Sequence, residues 1–271
     1  MSTFAKGNAR AGKPTTLGLD RTGGLSGAEL ILHASPKRRM PQTQVQIAIE
    51  RIVGRLHHAR RIAPGPPPVK VNLGSGLFVA HGWINLDASL KALLKGWPAF
   101  ALRAVYPLLV NSDLKCEEFV RLLRNERFVH HDLRYGLPFP DASVDFLYIS
   151  HALHHLYRAE AVKLLGDCIR TLKPGGTIRI VVPDLEYIMS LYLQGRRERA
   201  LSYFFYESPR SELFSRRYQY DFFLLRDLLE STGFRDIRRC DYQKGRTPDL
   251  GCLDRMPEES LFAEAQRPTC S

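Results

Sequence analysis

A short glycine loop followed by an acidic residue is the part of this sequence best suited to bind a ligand. Residues 69–73 alternate apolar and polar side chains as in a strand, and they run directly into Gly74-Ser75-Gly76, here called the glycine loop. Glycine lets a backbone turn sharply and approach a ligand closely. A second apolar run ends on Asp87, where nucleotide-binding α/β folds place the carboxylate that accepts ribose hydroxyls. The pattern predicts an adenosine-containing ligand.

The details of the loop favour a nucleoside without phosphate. A dinucleotide fingerprint has a third glycine and an acid about twenty residues further on. Here Val79 stands in place of that glycine, and Asp87 lies only eleven residues after Gly76. The chain also has no GxxxxGK[ST] run of a phosphate-binding loop. S-adenosylmethionine is the common cofactor that fits this description.

Histidines follow the strand predicted at 144–149 and could act on a substrate. That strand brings residues 150–156 to the carboxyl edge of the sheet, where α/β folds bind ligands. His151 and His155 are four apart, but Ala152 replaces the Glu of a zinc-binding HExxH, and no further cluster offers a third ligand. We therefore predict no metal site. His151 is the candidate general base, because imidazole titrates near neutral pH; a structural histidine at the strand end is the alternative.

The surrounding pattern predicts a doubly wound α/β fold. Short apolar runs alternate with helical stripes, and a Gly-Gly turn connects one such helix to a buried strand. Predicted strands cover 69–73, 83–87, 128–133, 144–149 and 178–182, with helices at 161–172, 187–206 and 222–230 and an antiparallel pair at 234–242 and 259–266. The eight residues 75–82 are too few for an ordinary parallel crossover, so we expect a connection reduced to a turn. Residues 88–125 are predicted to form a helical layer over one sheet face, with a lid as the alternative.

Four phrases in order carry a resemblance to a known family. They are NLGSG at 72–76, GWINLD at 82–87, HDLRYGLPFPDASVDFLYISHALHHL at 131–156 and LLGDCIRTLKPGGTIRIVVPDLE at 164–186. The chain resembles class I S-adenosylmethionine-dependent methyltransferases, of the bacterial predicted methyltransferase type, over roughly residues 69–268. The resemblance implies a Rossmann-like, seven-stranded, mostly parallel sheet with one antiparallel strand near the edge and helices on both faces. It also implies methyl transfer by direct displacement to an O or N nucleophile.

The resemblance assigns a role to each candidate cofactor residue. The glycine loop would approach the methionine part of S-adenosyl-L-methionine, and Asn72 would lie near the methionine amino group in place of the usual acid. Asp87 would bind the ribose. Asp132 would accept from the exocyclic amine of the adenine, and the backbone of Leu133 would meet the ring edge.

Several functions remain open at this point. The expected acceptor is a small molecule or a saccharide-type compound. An RNA methyltransferase is one alternative, although no N/D-PP-[YF] tetrad follows the fourth strand. Another is a non-catalytic adaptor that binds S-adenosylmethionine, because His154 stands where relatives usually have Glu. A dehydrogenase is disfavoured by the missing third glycine. The acceptor atom and the oligomeric state do not follow from the sequence.

The positive charge is concentrated in the N-terminal part. The chain has 271 residues and a net charge of +11, and residues 1–70 hold twelve Lys/Arg against three acidic residues. Residues 1–40 show no sustained period and are predicted to be a disordered basic arm. Residues 41–68 are predicted to form an amphipathic helix and a stiff Pro-rich linker, and 69–271 the methyltransferase domain. The arm could contact nucleic acid or an anionic membrane surface; a solvated tail is the alternative.

The cysteines and the hydropathy predict a cytoplasmic location. Five cysteines are scattered without a CxxC pair, which is typical of reduced thiols. We find no apolar run of membrane-spanning length and no signal-peptide core at the N-terminus.

Overall fold

One twisted sheet organises the part of the chain that the structure describes. The computed structural model describes residues 52–53, 61–110, 114–205 and 215–269. Its strands are β1 Lys70–Leu73, β2 Ile84–Asp87, β3 Arg127–His130, β4 Val144–Ser150, β5 Leu172–Pro183, β6 Arg235–Cys240 and β7 Ser260–Gln266. They lie in the order β3-β2-β1-β4-β5-β7-β6, and β7 is antiparallel to both neighbours. The predicted Rossmann-like fold with one reversed strand near the edge is confirmed.

The helices of the described residues lie between these strands. They are α1 Leu90–Leu93, α2 Ala99–Leu109, α3 Cys116–Asn125, α4 Arg158–Thr171, α5 Leu185–Leu193, α6 Arg197–Ser202, α7 Phe222–Ser231 and α8 Leu250–Leu253. The helical segment predicted over 187–206 is divided into α5 and α6, because Gly195 has a φ of 83°, which is outside helical geometry. In the described part of the chain, no helix has both the length and the apolarity to cross a membrane.

Alternation along the strands supplies a core on each face of the sheet. Val71 and Leu73 are fully buried in one core, with the apolar faces of α4 and α7. On the other face, α2 and α3 enclose a second cluster that includes Phe119, Leu123 and Phe128. The prediction of a helical layer within 88–125 agrees with this packing. The third predicted strand is shorter than expected, since β3 ends at His130.

The connection between β1 and β2 contains no helix. Residues 74–83 form turns only, as the short spacing predicts. A crossover helix would normally cover this part of the sheet face. Instead Trp83 and Tyr148 pack against Leu250 and Leu253 of α8, which belongs to the segment between β6 and β7. That segment therefore takes the place of the missing crossover helix.

A buried arginine fastens the β6–β7 segment to the sheet. Arg179 of β5 is fully buried and donates to both carboxylate oxygens of Asp254, at 3.0 and 2.5 Å. Asp254 also accepts from the Tyr148 hydroxyl at 3.2 Å and from the Gln243 N–H at 2.8 Å. Removing one partner of such a pair leaves an uncompensated charge in the core. The position of the segment thus depends on this pair.

The residues before β1 lie along the domain. Ile62 is buried and its N–H donates to Pro138 O at 2.8 Å. The Arg127 guanidinium donates to the carbonyls of Ala63 and Pro64 at 2.8 and 3.3 Å. The Pro-rich stretch is thus bonded to the sheet on its way into β1. The predicted arm at 1–40 and most of the predicted helix at 41–60 lie outside the described residues, apart from residues 52–53, which are helical.

We expect Asp254→Ala to lower the free energy of unfolding by about 3–5 kcal/mol, because the buried Arg179 would lose its closest carboxylate and keep only Glu264, at 3.4 Å. Urea denaturation followed by circular dichroism measures this. Asp227→Ala serves as control, because the Asp227 side chain is 61% exposed and its ion pair with Arg226 lies in water. That variant should change the unfolding free energy by less than about 0.5 kcal/mol. Equal effects of the two substitutions would contradict the anchoring role.

Candidate functional site

A cavity of about 300 Å³ opens at the carboxyl ends of the central strands. This is the edge at which open α/β sheets bind ligands. Its lining residues are Gly74, Asp87, Ala88, Ser89, Asp132, Leu133, Arg134, His151, Ala152, His155, Leu156, Tyr157, Glu160 and Arg217. The cavity thus brings together five of the residues singled out from the sequence, namely Gly74, Asp87, Asp132, Leu133 and His151. The other three, Asn72, Ser75 and Gly76, do not line it.

Asp87 fastens the glycine loop to the end of β2. Its Oδ2 accepts the N–H of Gly76 at 2.7 Å, and its Oδ1 accepts the N–H of Ser89 at 2.8 Å. The residue is only 6% exposed. A carboxylate has about four acceptor positions, so each oxygen keeps one for a further donor. Asp87 can therefore hold the loop and still accept hydroxyl groups from the cavity.

The first glycine of the loop allows close packing against the end of β4. Gly74 has a φ of 68°, and its N–H donates to Leu86 O at 2.8 Å. A Cβ at this position would lie 2.6 Å from the Cβ of Ala152, closer than real side chains approach. The N–H of Ser75 donates to the same Leu86 carbonyl at 3.1 Å. The loop is thus held by hydrogen bonds to β2 and packs closely against Ala152.

Asn72 supports the loop from within the sheet. Its Nδ2 donates to Phe78 O at 2.9 Å and to Asn85 Oδ1 at 3.2 Å, and the residue is buried. Both hydrogens of the amide are therefore used by the protein. The amide therefore supports residues 76–78. An ammonium group would need the amide oxygen as its acceptor, so the predicted contact of Asn72 with a methionine amino group stays a prediction.

Asp132 is held by an arginine that sequence reasoning missed. Its carboxylate accepts the N–H of Arg134 at 3.0 Å and the guanidinium of the same residue at 2.7–3.1 Å. This hydrogen bond is the first cause that raises the pKa of Arg134. Asp132 thus caps the turn Leu133–Tyr135, and it lines the cavity while paired with Arg134. An arginine two residues after an acid at a turn is the signal that could have revealed this pair.

His151 is a neutral imidazole at the end of β4. Burial is the main cause that lowers its pKa to about 3, and the charge of Arg255 is the second. The ring Nε2 lies 3.1 Å from the Ser260 hydroxyl, and the backbone N–H of His151 donates to Val181 O at 2.8 Å. The backbone φ of 48° is unusual for a residue with a side chain. Such strain is found most often where a residue serves a ligand.

Two further histidines lie beside His151. Burial lowers the pKa of His154 well below its usual value and the pKa of His155 to about 4. The rings of His154 and His155 are 4.0 Å apart, and His155 lines the cavity. His154, which replaces the usual Glu, does not line it. The three rings form a buried cluster that is uncharged at neutral pH.

The open side of the cavity carries residues that the sequence did not single out. The guanidinium of Arg217 lies 5.0 Å from the ring centre of Tyr157, and Glu160 Oε2 accepts the Tyr157 N–H at 2.9 Å. Arg217 comes from the segment before α7, about sixty residues away along the chain. No local pattern in the sequence indicates such a contact.

The histidine cluster makes the stability of the fold dependent on pH. Between about pH 6.5 and 4 the unfolded chain binds protons at His151, His154 and His155 that the folded chain does not bind. The free energy of unfolding should therefore fall as the pH falls, by about 1.4 kcal/mol per pH unit for each proton. We expect His154→Leu to reduce this slope by about one proton. Urea denaturation from pH 8 to 5 measures the slope, and the value at pH 8 isolates pH-independent packing effects. An unchanged slope would contradict the burial of a neutral His154.

Comparison with known proteins matches part of this chain to a known family. Residues 96–180 match the family model described as a methyltransferase domain. A solved S-adenosylmethionine-dependent methyltransferase from Thermotoga maritima, described as a possible histamine N-methyltransferase, is 13% identical; the match covers 82% of this chain and 93% of that one, with a TM-score of 0.46. A second such enzyme, from Archaeoglobus fulgidus, is 16% identical over 82% of this chain and 92% of its own, with a TM-score of 0.41. Residues 96–180 are thus similar to a methyltransferase domain, and the strand order is that of the Rossmann-like fold.

Proposed function

We propose that the cavity holds S-adenosylmethionine with its ribose on Asp87 and its adenine beside Asp132 and Leu133. The observation that carries this proposal is the Asp87 carboxylate, which lies at the tip of β2, lines the cavity and keeps acceptor positions free. This site suits a nucleoside, since a buried carboxylate can accept hydrogen bonds from the ribose hydroxyls. The glycine loop would carry the methionine part, with Gly74 as its lining residue.

His151 is the residue that we propose to act on the acceptor. Bound S-adenosylmethionine supplies a methyl group activated by its sulfonium. Since burial keeps the imidazole neutral, His151 can accept a hydrogen bond from a hydroxyl or amine and orient its lone pair. Because its pKa is about 3, the imidazole is a weak base at neutral pH, and its proposed role is to position the acceptor.

We propose a small molecule or a saccharide-type compound as the acceptor. A small acceptor is supported by the limited volume of the cavity, about 300 Å³. Near the start of β7, where Ser260 meets His151, the Tyr203 hydroxyl contacts the Glu259 carboxylate. Tyr187 packs edge-on against Tyr203, with ring centres 6.4 Å apart. Aromatic faces and carboxylates of this kind suit a polyhydroxylated compound.

Two proposals concern regions beyond the cavity. The basic arm at 1–40 would contact nucleic acid or an anionic membrane surface, on the strength of its charge. A cytoplasmic location rests on the scattered cysteines, of which Cys116, Cys168, Cys240 and Cys252 are free thiols in the described residues.

Calorimetric titration with S-adenosylhomocysteine tests the cofactor site. We expect Asp87→Ala to weaken binding by about 1–3 kcal/mol, because hydroxyl groups lose a buried acceptor. Asp87→Asn keeps one acceptor oxygen for the glycine loop, so we expect a smaller loss of affinity than in Asp87→Ala. The difference between the two variants separates the contact with the ligand from the support of the loop. Asp241→Ala, whose side chain is 75% exposed, is the matched control and should bind normally. NAD is the control ligand. Unchanged affinity in Asp87→Ala would overturn the ribose assignment.

Methyl labelling tests the acceptor class. The protein is incubated with S-adenosylmethionine labelled in the methyl group, together with a small-molecule extract, a saccharide pool or total RNA. We expect label in the small-molecule or saccharide fraction, and we expect His151→Ala to reduce it by about 100-fold or more, as for loss of a group that acts on the acceptor. Label confined to RNA would contradict the proposed acceptor.

A further inference from the structure

Arg255 places a positive charge over the loop that follows β1. It lies directly after α8 and Asp254, on the segment between β6 and β7. Its guanidinium carbon is 3.0 Å from the ring centre of Phe78, and that ring would lie 4.0 Å from a Cβ at Gly76. The guanidinium therefore stacks on a residue that itself borders the glycine loop. Arginine on an aromatic face is held in place but keeps its edge donors for a partner.

This arginine lacks a carboxylate partner in the part of the chain that the structure describes. Its Nε is buried and makes no hydrogen bond there. Three other arginines of the described residues have a carboxylate partner: Arg134 pairs with Asp132, Arg170 with Asp167 and Arg179 with Asp254. Burial is the main cause that lowers the pKa of Arg255. A desolvated cation without an anion costs free energy, which an anionic ligand would recover.

The charge of Arg255 acts on His151, which lines the cavity. Arg255 is the first charged group among the causes that lower the pKa of His151. Arg255 does not itself line the cavity, but its stack on Phe78 places it beside Gly76 of the glycine loop. That loop is the part of the site proposed to carry the methionine part of the cofactor, whereas Asp87 and Asp132 are proposed to hold the nucleoside.

The backbone next to Arg255 is fixed before any ligand binds. Asp254 is fully buried and is held by Arg179, Tyr148 and Gln243 at 2.5–3.2 Å. A guanidinium that is positioned in advance loses little conformational entropy when it binds.

We propose that Arg255 binds the α-carboxylate of the methionine part of S-adenosylmethionine. This inference rests on the proposed placement of the cofactor. The carboxylate is the one anionic group of that molecule, and a guanidinium can donate two parallel hydrogen bonds to it. Arg255 would thereby fix the amino-acid end of the cofactor, while Asp87 fixes the ribose. No residue of the glycine loop itself supplies a positive charge.

Three ligands separate the carboxylate contact from the rest of the site. S-adenosylhomocysteine carries the carboxylate, decarboxylated S-adenosylmethionine lacks it but keeps the amino group, and 5′-methylthioadenosine lacks both. Binding of each is measured by calorimetry to the full chain, to Arg255→Gln and to Arg255→Lys. The control is Arg246→Gln on the same segment, whose exposed guanidinium pairs with Asp236.

We expect Arg255→Gln to weaken S-adenosylhomocysteine binding by about 10- to 100-fold, the range for a hydrogen bond to a charged group. The two ligands without a carboxylate should bind as to the unsubstituted chain, which also shows that the variant is folded. Arg255→Lys should recover part of the loss, and Arg246→Gln should lose nothing.

Two outcomes would overturn the inference about Arg255 alone. One is unchanged affinity of Arg255→Gln for S-adenosylhomocysteine. The other is an equal loss for all three ligands, because the arginine would then not act on the carboxylate. Failure of the unsubstituted chain to bind any of the three would instead overturn the proposed cofactor site, and the inference with it.

Discussion

The hydrogen bonds that Asp87 accepts from Gly76 and Ser89 hold the ends of two neighbouring strands in one arrangement. The chain passes from β1 to β2 through ten residues without a helix, so the loop is held by hydrogen bonds and not by a crossover helix of that connection. A charged acceptor at 2.7 Å from the Gly76 N–H replaces the missing packing with a strong local contact. The same carboxylate faces the cavity. One residue therefore sets the shape of the loop and offers the acceptor that a ribose needs.

The shortened connection has a second consequence on the other side of the sheet. Because no crossover helix covers Trp83 and Tyr148, the β6–β7 segment packs there, and the Arg179–Asp254 pair holds it. The segment brings Arg255 to the loop from far along the chain. A compact loop, a buried ion pair and an arginine without an acidic neighbour among the described residues are thus parts of one arrangement. The proposed placement of the cofactor uses this arrangement, with Asp87 at the nucleoside end and Arg255 at the amino-acid end.

Local patterns were sufficient to predict the strands and the residues that immediately follow them. The alternation at 69–73 and the apolar run at 144–149 identify β1 and β4, and they place the glycine loop and His151 at one edge. The apolar pattern predicted a helical segment over 187–206. Gly195 interrupts it, because its left-handed φ is incompatible with an α-helix. Asp132 was identified as a cavity residue, but its pairing with Arg134 was not, because the turn geometry decides which side chains meet.

Contacts between distant segments were beyond sequence reasoning. Arg217 lines the cavity and Arg255 contacts Phe78 in the loop after β1, and both belong to loops far along the chain. The sequence contains no periodic signal for such a placement, since each loop is positioned by buried contacts elsewhere. Asn72 shows the same limit in a smaller way. Its position before the glycines predicts a ligand contact, but its hydrogen bonds to Asn85 and Phe78 could not be predicted from the sequence.

A crystal structure of the chain with bound S-adenosylhomocysteine would test the proposed site most directly. We expect both ribose hydroxyls within hydrogen-bond distance of the Asp87 carboxylate, with the Gly76 N–H still bonded to it. The adenine should lie beside Asp132 and Leu133. A nucleoside bound with its ribose away from Asp87, or bound outside this cavity, would contradict the role that we assign to the loop and its acid.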